Sequence, residues 1–327
     1  MYLEVTSRCN YACVYCPHPN MKRPKRHIDW EVATEALRQI RSGRIGERVW
    51  LNYLGEPLLY PRLFEVSEYA ASLGLSTHVI TNGSLLTEPM VARIAASHLF
   101  TIKVSHDSTF GDAAAAHGAP RFTPQLVLEG IGRLIGAVAG TGKRVVVILM
   151  TTAPGFDGGI DGLELISSPA ALRREVEAVL AEAARHVTLP PHDFIWPRLD
   201  ALRWHTWNPD FNVSDTFALE IRPALNWGNT LTTRHVEPVT HGRCNALVEK
   251  VTVLVNGDVV PCCVDAEGEL VLGNILERPL VEILASSRAR ALRNGFAEGR
   301  VVEARCQRCL GQLSARPGDA TLHESQA

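Results

Sequence analysis

The chain has 327 residues, of which 46% are apolar and 21% charged, with a formal net charge of −2 and a pI near 6.6. That length buries one large core or two moderate ones, and the near-neutral balance supplies no basic field for nucleic acid or an anionic membrane. No run approaches the roughly 18 apolar residues that cross a bilayer, and the first residues read as a strand rather than a secretion signal, so a cytoplasmic protein without membrane or nucleic-acid partners is expected.

In chain order, short apolar strands are expected at 2–6, 48–53, 77–81, 101–105 and 144–151. Helix-period stretches lie between them at about 30–42, 61–73, 87–97 and 122–139. A helix at 168–185 and a strand at 186–189 bring the count to about six repeats. This alternation predicts βαβ units and a parallel sheet. Six units are too few for the eight-fold closed barrel, so the α/β class with a partial barrel over 1–189 follows. Residues 111–120 read as an Ala/Gly-rich loop and 154–169, with four glycines, as an insertion. Residues 190–239 open on two prolines and read as a connector that lines a substrate cavity. A small domain is expected at 240–312, where 248–255 and 259–261 flank the hairpin turn Asn256-Gly257-Asp258 and a helix follows at 279–294. The polar residues 313–327 read as a disordered tail.

The eight cysteines fall into two groups separated by more than two hundred cysteine-free residues. That distribution favours metal binding in a reducing compartment over disulfides. Cys9, Cys13 and Cys16, at C-x3-C-x2-C spacing, offer three thiolates and leave a fourth position empty. Structural zinc prefers a closed set of four, whereas a thiolate triad suits iron–sulfur chemistry with one iron open. The alternative is zinc completed by His18 or His27. Cys244, Cys262, Cys306 and Cys309 supply four thiolates for one closed cluster, and the hairpin turns Cys262 back towards Cys244. Tetrahedral zinc is the alternative there too. Cys263 is left over, as a small buried residue beside a ligand, as a hydrogen-atom donor, or as a cysteine that exchanges ligand roles with Cys262.

Three further segments follow strand ends, where parallel α/β folds place their sites. They are Gly55-Glu56-Pro57, Thr81-Asn82-Gly83 and Ser105-His106-Asp107. A glycine at such an end lets the backbone approach a ligand, while Asx turns and helix caps give the plain explanation of the other two. Arg222 is a candidate acid/base or substrate anchor. His205, Trp207, Asn226 and Trp227 are candidates for shaping a pocket.

Together these residues resemble the radical S-adenosylmethionine (SAM) superfamily. Tyr15 fills the aromatic slot of its C-x3-C-x-aromatic-C hallmark, and Leu54-Gly55-Glu56-Pro57 is similar to its GGEP motif with Leu54 replacing the first glycine. The resemblance implies a (β/α)6 partial barrel and a 4Fe-4S cluster on Cys9, Cys13 and Cys16, with SAM on the free iron. It also implies SAM contacts from Tyr15, Gly55, Glu56, Pro57, Asn82, Ser105 and Asp107. Reductive cleavage would give a 5'-deoxyadenosyl radical, with flavodoxin or ferredoxin as electron donor. The second cysteine group resembles the SPASM/Twitch auxiliary domain in its shorter form, because Ala315 stands where a further cysteine would be. One auxiliary 4Fe-4S cluster on Cys244, Cys262, Cys306 and Cys309 is implied. The spacing is similar to that of the family's butirosin-pathway aminocyclitol (2-deoxy-scyllo-inosamine) dehydrogenase. That likeness implies hydrogen abstraction from a small carbohydrate, aminocyclitol or related natural-product intermediate, with alcohol oxidised to ketone, as in antibiotic biosynthesis. The alternatives are an epimerase using Cys263, a sugar-nucleoside decarboxylase, a peptide maturase and a zinc-stabilised binding protein.

Overall fold

The protein is described by a computed structural model covering residues 1–106, 109, 123–151, 165–204, 210–232 and 234–314. The expected loop at 111–120, most of the insertion, the tail beyond Ser314, and Asp107, His205 and Trp207 lie outside the described residues.

One sheet organises the chain. Strands β1 (Tyr2–Leu3), β2 (Arg48–Trp50), β3 (Ser76–Thr81), β4 (Leu99–Ser105) and β5 (Arg144–Thr151) are parallel neighbours in chain order. Helices α1 (Trp30–Ser42), α2 (Leu63–Ser72), α3 (Glu88–Ala96), α4 (Pro124–Val138) and α5 (Pro169–Ala184) alternate with them. The starts are set locally. The Thr123 hydroxyl accepts from Leu126 N and that of Ser168 from Ala171 N, each just before a proline in the first turn.

The sixth parallel strand is not 186–189. His186 and Val187 instead close the end of α5 through bonds to Ala183 O, and Pro190-Pro191 follow without N–H donors. A short helix α6 (Ile195–Asp200) and strand β6 (Phe211–Asn212) intervene, and β7 (Phe217–Pro223) then pairs parallel with β5 from Val145↔Phe217 to Thr151↔Pro223. The segment expected as a connector therefore contributes a strand of the main sheet. Alternation sends Leu219 and Ile221 of β7 into the helix-covered core with Val145, Val147 and Leu149. Lys103, Ile148, Met150, Glu220 and Arg222 alternate with those core residues and face the other way, where Tyr15 packs with Ile80, Ile148 and Met150.

The C-terminal part continues the same sheet. A two-residue pair, β8 (Val236–Glu237) with β12 (Gln312–Leu313), brackets it. Strand β9 (Thr252–Val253) lies parallel to β1, and the expected hairpin is present as β9 with β10 (Asp258–Val260), Gly257 at φ 88° making the turn. Strand β11 (Gly273–Asn274) ends this edge. The helix expected at 279–294 is two helices, α7 (Leu280–Leu284) and α8 (Ser287–Ala297), because the Ser286 hydroxyl accepts from Ala289 N and starts a new one. Helix α9 (Ala304–Cys309) follows.

Candidate functional site

The first cysteine group sits in a loop whose neck is closed by pairing. Ser7 N donates to Arg26 O (2.9 Å) and Ile28 N to Val5 O (2.9 Å), with Thr6 bridged to His27. Inside the loop Cys16 N donates to Cys13 O at 3.1 Å, so these two cysteines share a turn. All three thiols are half-buried, and burial pushes Cys9 up to about 11 and Cys16 up to about 12. Such thiols stay protonated at neutral pH until a metal displaces the proton.

The ends of β2 and β3 lock onto this loop. A Cβ on Gly55 would stand 2.2 Å from Thr6 O and 2.7 Å from Arg8 O, so the glycine is needed here because the backbone leading into the first cysteine loop crosses it. Glu56 N donates to Arg8 O at 2.8 Å. The Glu56 carboxylate is 2% exposed and accepts from Leu58 N (3.0 Å), Thr81 Oγ1 (2.7 Å) and Asn82 N (2.7 Å). Its visible role is to tie two strand ends together, with Pro57 opening a buried turn beside it. The Asn82 side chain donates to Asn10 Oδ1 at 3.0 Å and approaches Cys9 Sγ at 3.9 Å. Ser105 is the last residue of β4 and half-buried.

Burial pushes the Glu56 carboxyl up to about 7, against the opposing pull of Asn82 N, Leu58 N and the Thr81 hydroxyl. Between its ordinary value of 4.5 and about 7 the folded chain keeps a proton that the unfolded chain has lost. Stability then falls as pH rises through that window, by at most about 1.4 kcal/mol per pH unit. Glu56→Gln should lose this slope. Urea midpoints at pH 5 and 7.5 check it, and an identical pH dependence in both proteins would contradict the assignment.

The second group converges. Cys244, Cys262, Cys306 and Cys309 line one pocket together with Leu270 and Phe296. The short α9 places Cys306 and Cys309 three residues apart on one helix face. Burial pushes Cys262 and Cys306 up to about 12 and raises Cys309, while Cys244 is exposed at the rim. Among the described residues no three His, Cys, Asp or Glu side chains form a single-ion site. Each thiolate of a 4Fe-4S cluster binds its own iron, so a four-thiol pocket fits that group without such convergence.

Cys263 does not line this pocket. It packs against an apolar cluster containing Tyr53, Leu254 and Val260, with Cys16 and Trp227 also at its edge. Arg222 Nη1 lies 3.5 Å from Glu220 Oε1, and Lys103 Nζ lies 2.5 Å from Glu220 Oε2. Tyr2 senses the same neighbourhood. Its hydroxyl is pushed up to about 12, first by burial and then by Cys263 and Glu220, with Arg222 opposing. Lys103, Glu220 and Tyr2 were not singled out from the sequence; only the strand alternation, once β7 is known, points to the first two.

The description "Radical SAM superfamily" matches residues 3–158, and "Iron-sulfur cluster-binding domain" (SPASM) matches residues 244–310. The GTP 3',8-cyclase of Synechococcus sp. (strain CC9605) is 36% identical over 127 residues, covering 35% of each chain. The first curated relatives are matched over only 27 to 35% of their own length. Streptococcus suis SuiB bound to S-adenosylmethionine superposes with TM-score 0.56 at 17% identity, covering 90% of this chain and 67% of that one. BtrN in complex with AdoMet and 2-DOIA gives TM-score 0.50 at 16% identity, covering 91% and 86%. At such identities the two structures show the fold alone. Residues 3–158 therefore carry a radical SAM domain, which implies SAM and a 4Fe-4S cluster as cofactors, and residues 244–310 a SPASM-type domain, which implies auxiliary iron–sulfur.

Proposed function

We propose that this radical SAM enzyme oxidises an alcohol of a small carbohydrate, aminocyclitol or related intermediate to a ketone. Cys9, Cys13 and Cys16 hold the SAM-binding cluster, and Cys244, Cys262, Cys306 and Cys309 hold one auxiliary cluster. When bound, these groups supply a 5'-deoxyadenosyl radical for hydrogen abstraction and an acceptor for one electron. The observation that carries the reading is the four-thiol pocket, which provides a protein ligand for every iron and so suits an electron acceptor rather than a substrate site. Tyr15, Asn82, Ser105 and Asp107 would position SAM along the strand ends. Arg222, half-buried on the face away from the helices, would anchor the substrate hydroxyl, whose proton passes to solvent once the radical has lost its electron. The division into barrel and auxiliary domain, and a flavodoxin or ferredoxin donor, belong to the same proposal. No helix among the described residues is long and apolar enough to cross a membrane.

The test is anaerobic turnover of reconstituted protein with SAM, dithionite and a panel of aminocyclitols and sugars. The expected result is 5'-deoxyadenosine with a product two mass units lighter; no 5'-deoxyadenosine with any reductant would end the proposal.

One observation favours a second reading. Cys263 lies outside the four-thiol pocket yet within electrostatic reach of Tyr2 and Arg222. An epimerase would use such a thiol to return hydrogen to the opposite face. Under dehydrogenation Cys263→Ala should keep most activity at a packing cost of about 1 kcal/mol. Solvent deuterium on a non-exchangeable product carbon, lost in Cys263→Ala, would establish epimerisation instead.

A further inference from the structure

Residues 227–229 form a left-handed run between the two cysteine groups. Trp227, Gly228 and Asn229 have φ of 51°, 63° and 60°. Glycine and asparagine enter this region readily, but for tryptophan it is sterically costly and persists only where the surroundings over-determine it.

Those surroundings are helix α9. Asn229 is 2% exposed, and its side-chain amide donates to Arg308 O at 2.9 Å and Gly311 O at 3.0 Å. The Arg305 guanidinium donates to Gly228 O at 3.0 Å and to Thr230 Oγ1 at 2.9 Å. Gly228 lies flat against a candidate ligand, since a Cβ there would stand 2.6 Å from Cys309 Sγ. The other end reaches the first group. Trp227 Nε1 donates to Tyr15 O at 3.1 Å, one residue before Cys16, and its indole and Cys16 edge the same apolar cluster.

We propose that the turn at 227–229 is a strut joining the two centres, with Trp227 as a positioning residue for the SAM-site loop. This rests on the ligand sets proposed above. A cluster in the four-thiol pocket fixes α9 through Cys306 and Cys309; α9 holds the left-handed turn; the turn holds the Tyr15 carbonyl, and with it the orientation of Cys16. The two sites then share a coupling free energy, and loss of the auxiliary cluster weakens SAM binding although no auxiliary ligand touches SAM.

The experiment is a double-mutant cycle on the SAM dissociation constant. It is read from the change in the electron paramagnetic resonance signal of the reduced SAM-site cluster, with no turnover needed. The proteins are the reconstituted full chain, Cys306→Ala/Cys309→Ala, Trp227→Phe and the triple variant. Phenylalanine fills much of the indole's space without the N–H. The auxiliary double variant and Trp227→Phe should each weaken SAM about fivefold or more, and the triple variant should be no worse than Trp227→Phe. Should the double variant fail to fold, Asn229→Ala cuts the turn from α9 with every ligand intact, and the same non-additivity with Trp227→Phe is expected. Independent, multiplying effects would overturn the strut, as would a SAM affinity unchanged by the auxiliary perturbation. A protein that binds no SAM would instead overturn the proposed function.

Discussion

Replacing Cys9, Cys13 and Cys16 together by alanine should cut the iron of the reconstituted protein from about eight to about four atoms per chain. It should also abolish SAM cleavage. The effect is complete because these thiols are the only cysteines in the loop that the ends of β2 and β3 grip, and no other thiol group can present an open iron to SAM. The small domain should stay folded, since its four thiols line a separate pocket. Iron and sulfide analysis beside a 5'-deoxyadenosine assay decides the matter. Persistent 5'-deoxyadenosine in the triple variant would mean that the catalytic cluster lies elsewhere.

Single replacement of Cys244, Cys306 or Cys309 should separate the two halves of the reaction. Each change removes one of four thiols around one pocket, and cluster binding there is coupled to folding of the small domain. Auxiliary iron is expected to fall, and product formation with it by about two orders of magnitude or more. SAM cleavage without substrate should survive in part, because Cys9, Cys13 and Cys16 and the strand ends beside them are all retained. Cys306 and Cys309 should do more damage than Cys244, which is exposed at the rim. Unchanged iron in all three variants would exclude this pocket as a cluster site.

The repeating part of the fold was legible because period and start signals agreed. Helix α1 occupies the expected residues, and α2 to α5 fall within two residues of theirs. The hairpin was legible from Asn256-Gly257 alone. The sixth parallel strand was missed for a physical reason. Glu220 and Arg222 interrupt the apolar run of β7, and what makes them tolerable is Lys103, more than a hundred residues away, at 2.5 Å from Glu220. No local pattern announces a buried ion pair across two strands. His-Val-Thr-Leu at 186–189 had strand composition but was taken by the end of α5. The cysteine sets were readable from spacing, and the four expected auxiliary ligands do meet at one pocket. Gly55 and Glu56 were readable as special, yet their visible contacts are with the first cysteine loop and β3. The left-handed turn carries no local signal beyond Gly228-Asn229, because its meaning depends on Tyr15 and Cys309 arriving from opposite ends of the chain.

The pairing of β9 with β1 decides how the protein can be dissected. Tyr2 N donates to Val251 O at 2.8 Å and Glu4 N to Val253 O at 2.9 Å, so the first strand has one flank on β2 and the other on the auxiliary domain. Cutting the chain before β9 would not yield a clean half-protein. It would bare a row of peptide groups on an inner strand that has no lysine, proline or bulge to blunt it, a template on which further chains add. Insolubility of such a truncation would then report this uncovered edge and say nothing about the missing iron. Single-atom changes at the sulfurs, not deletion of the domain, are the instrument that can tell the two apart.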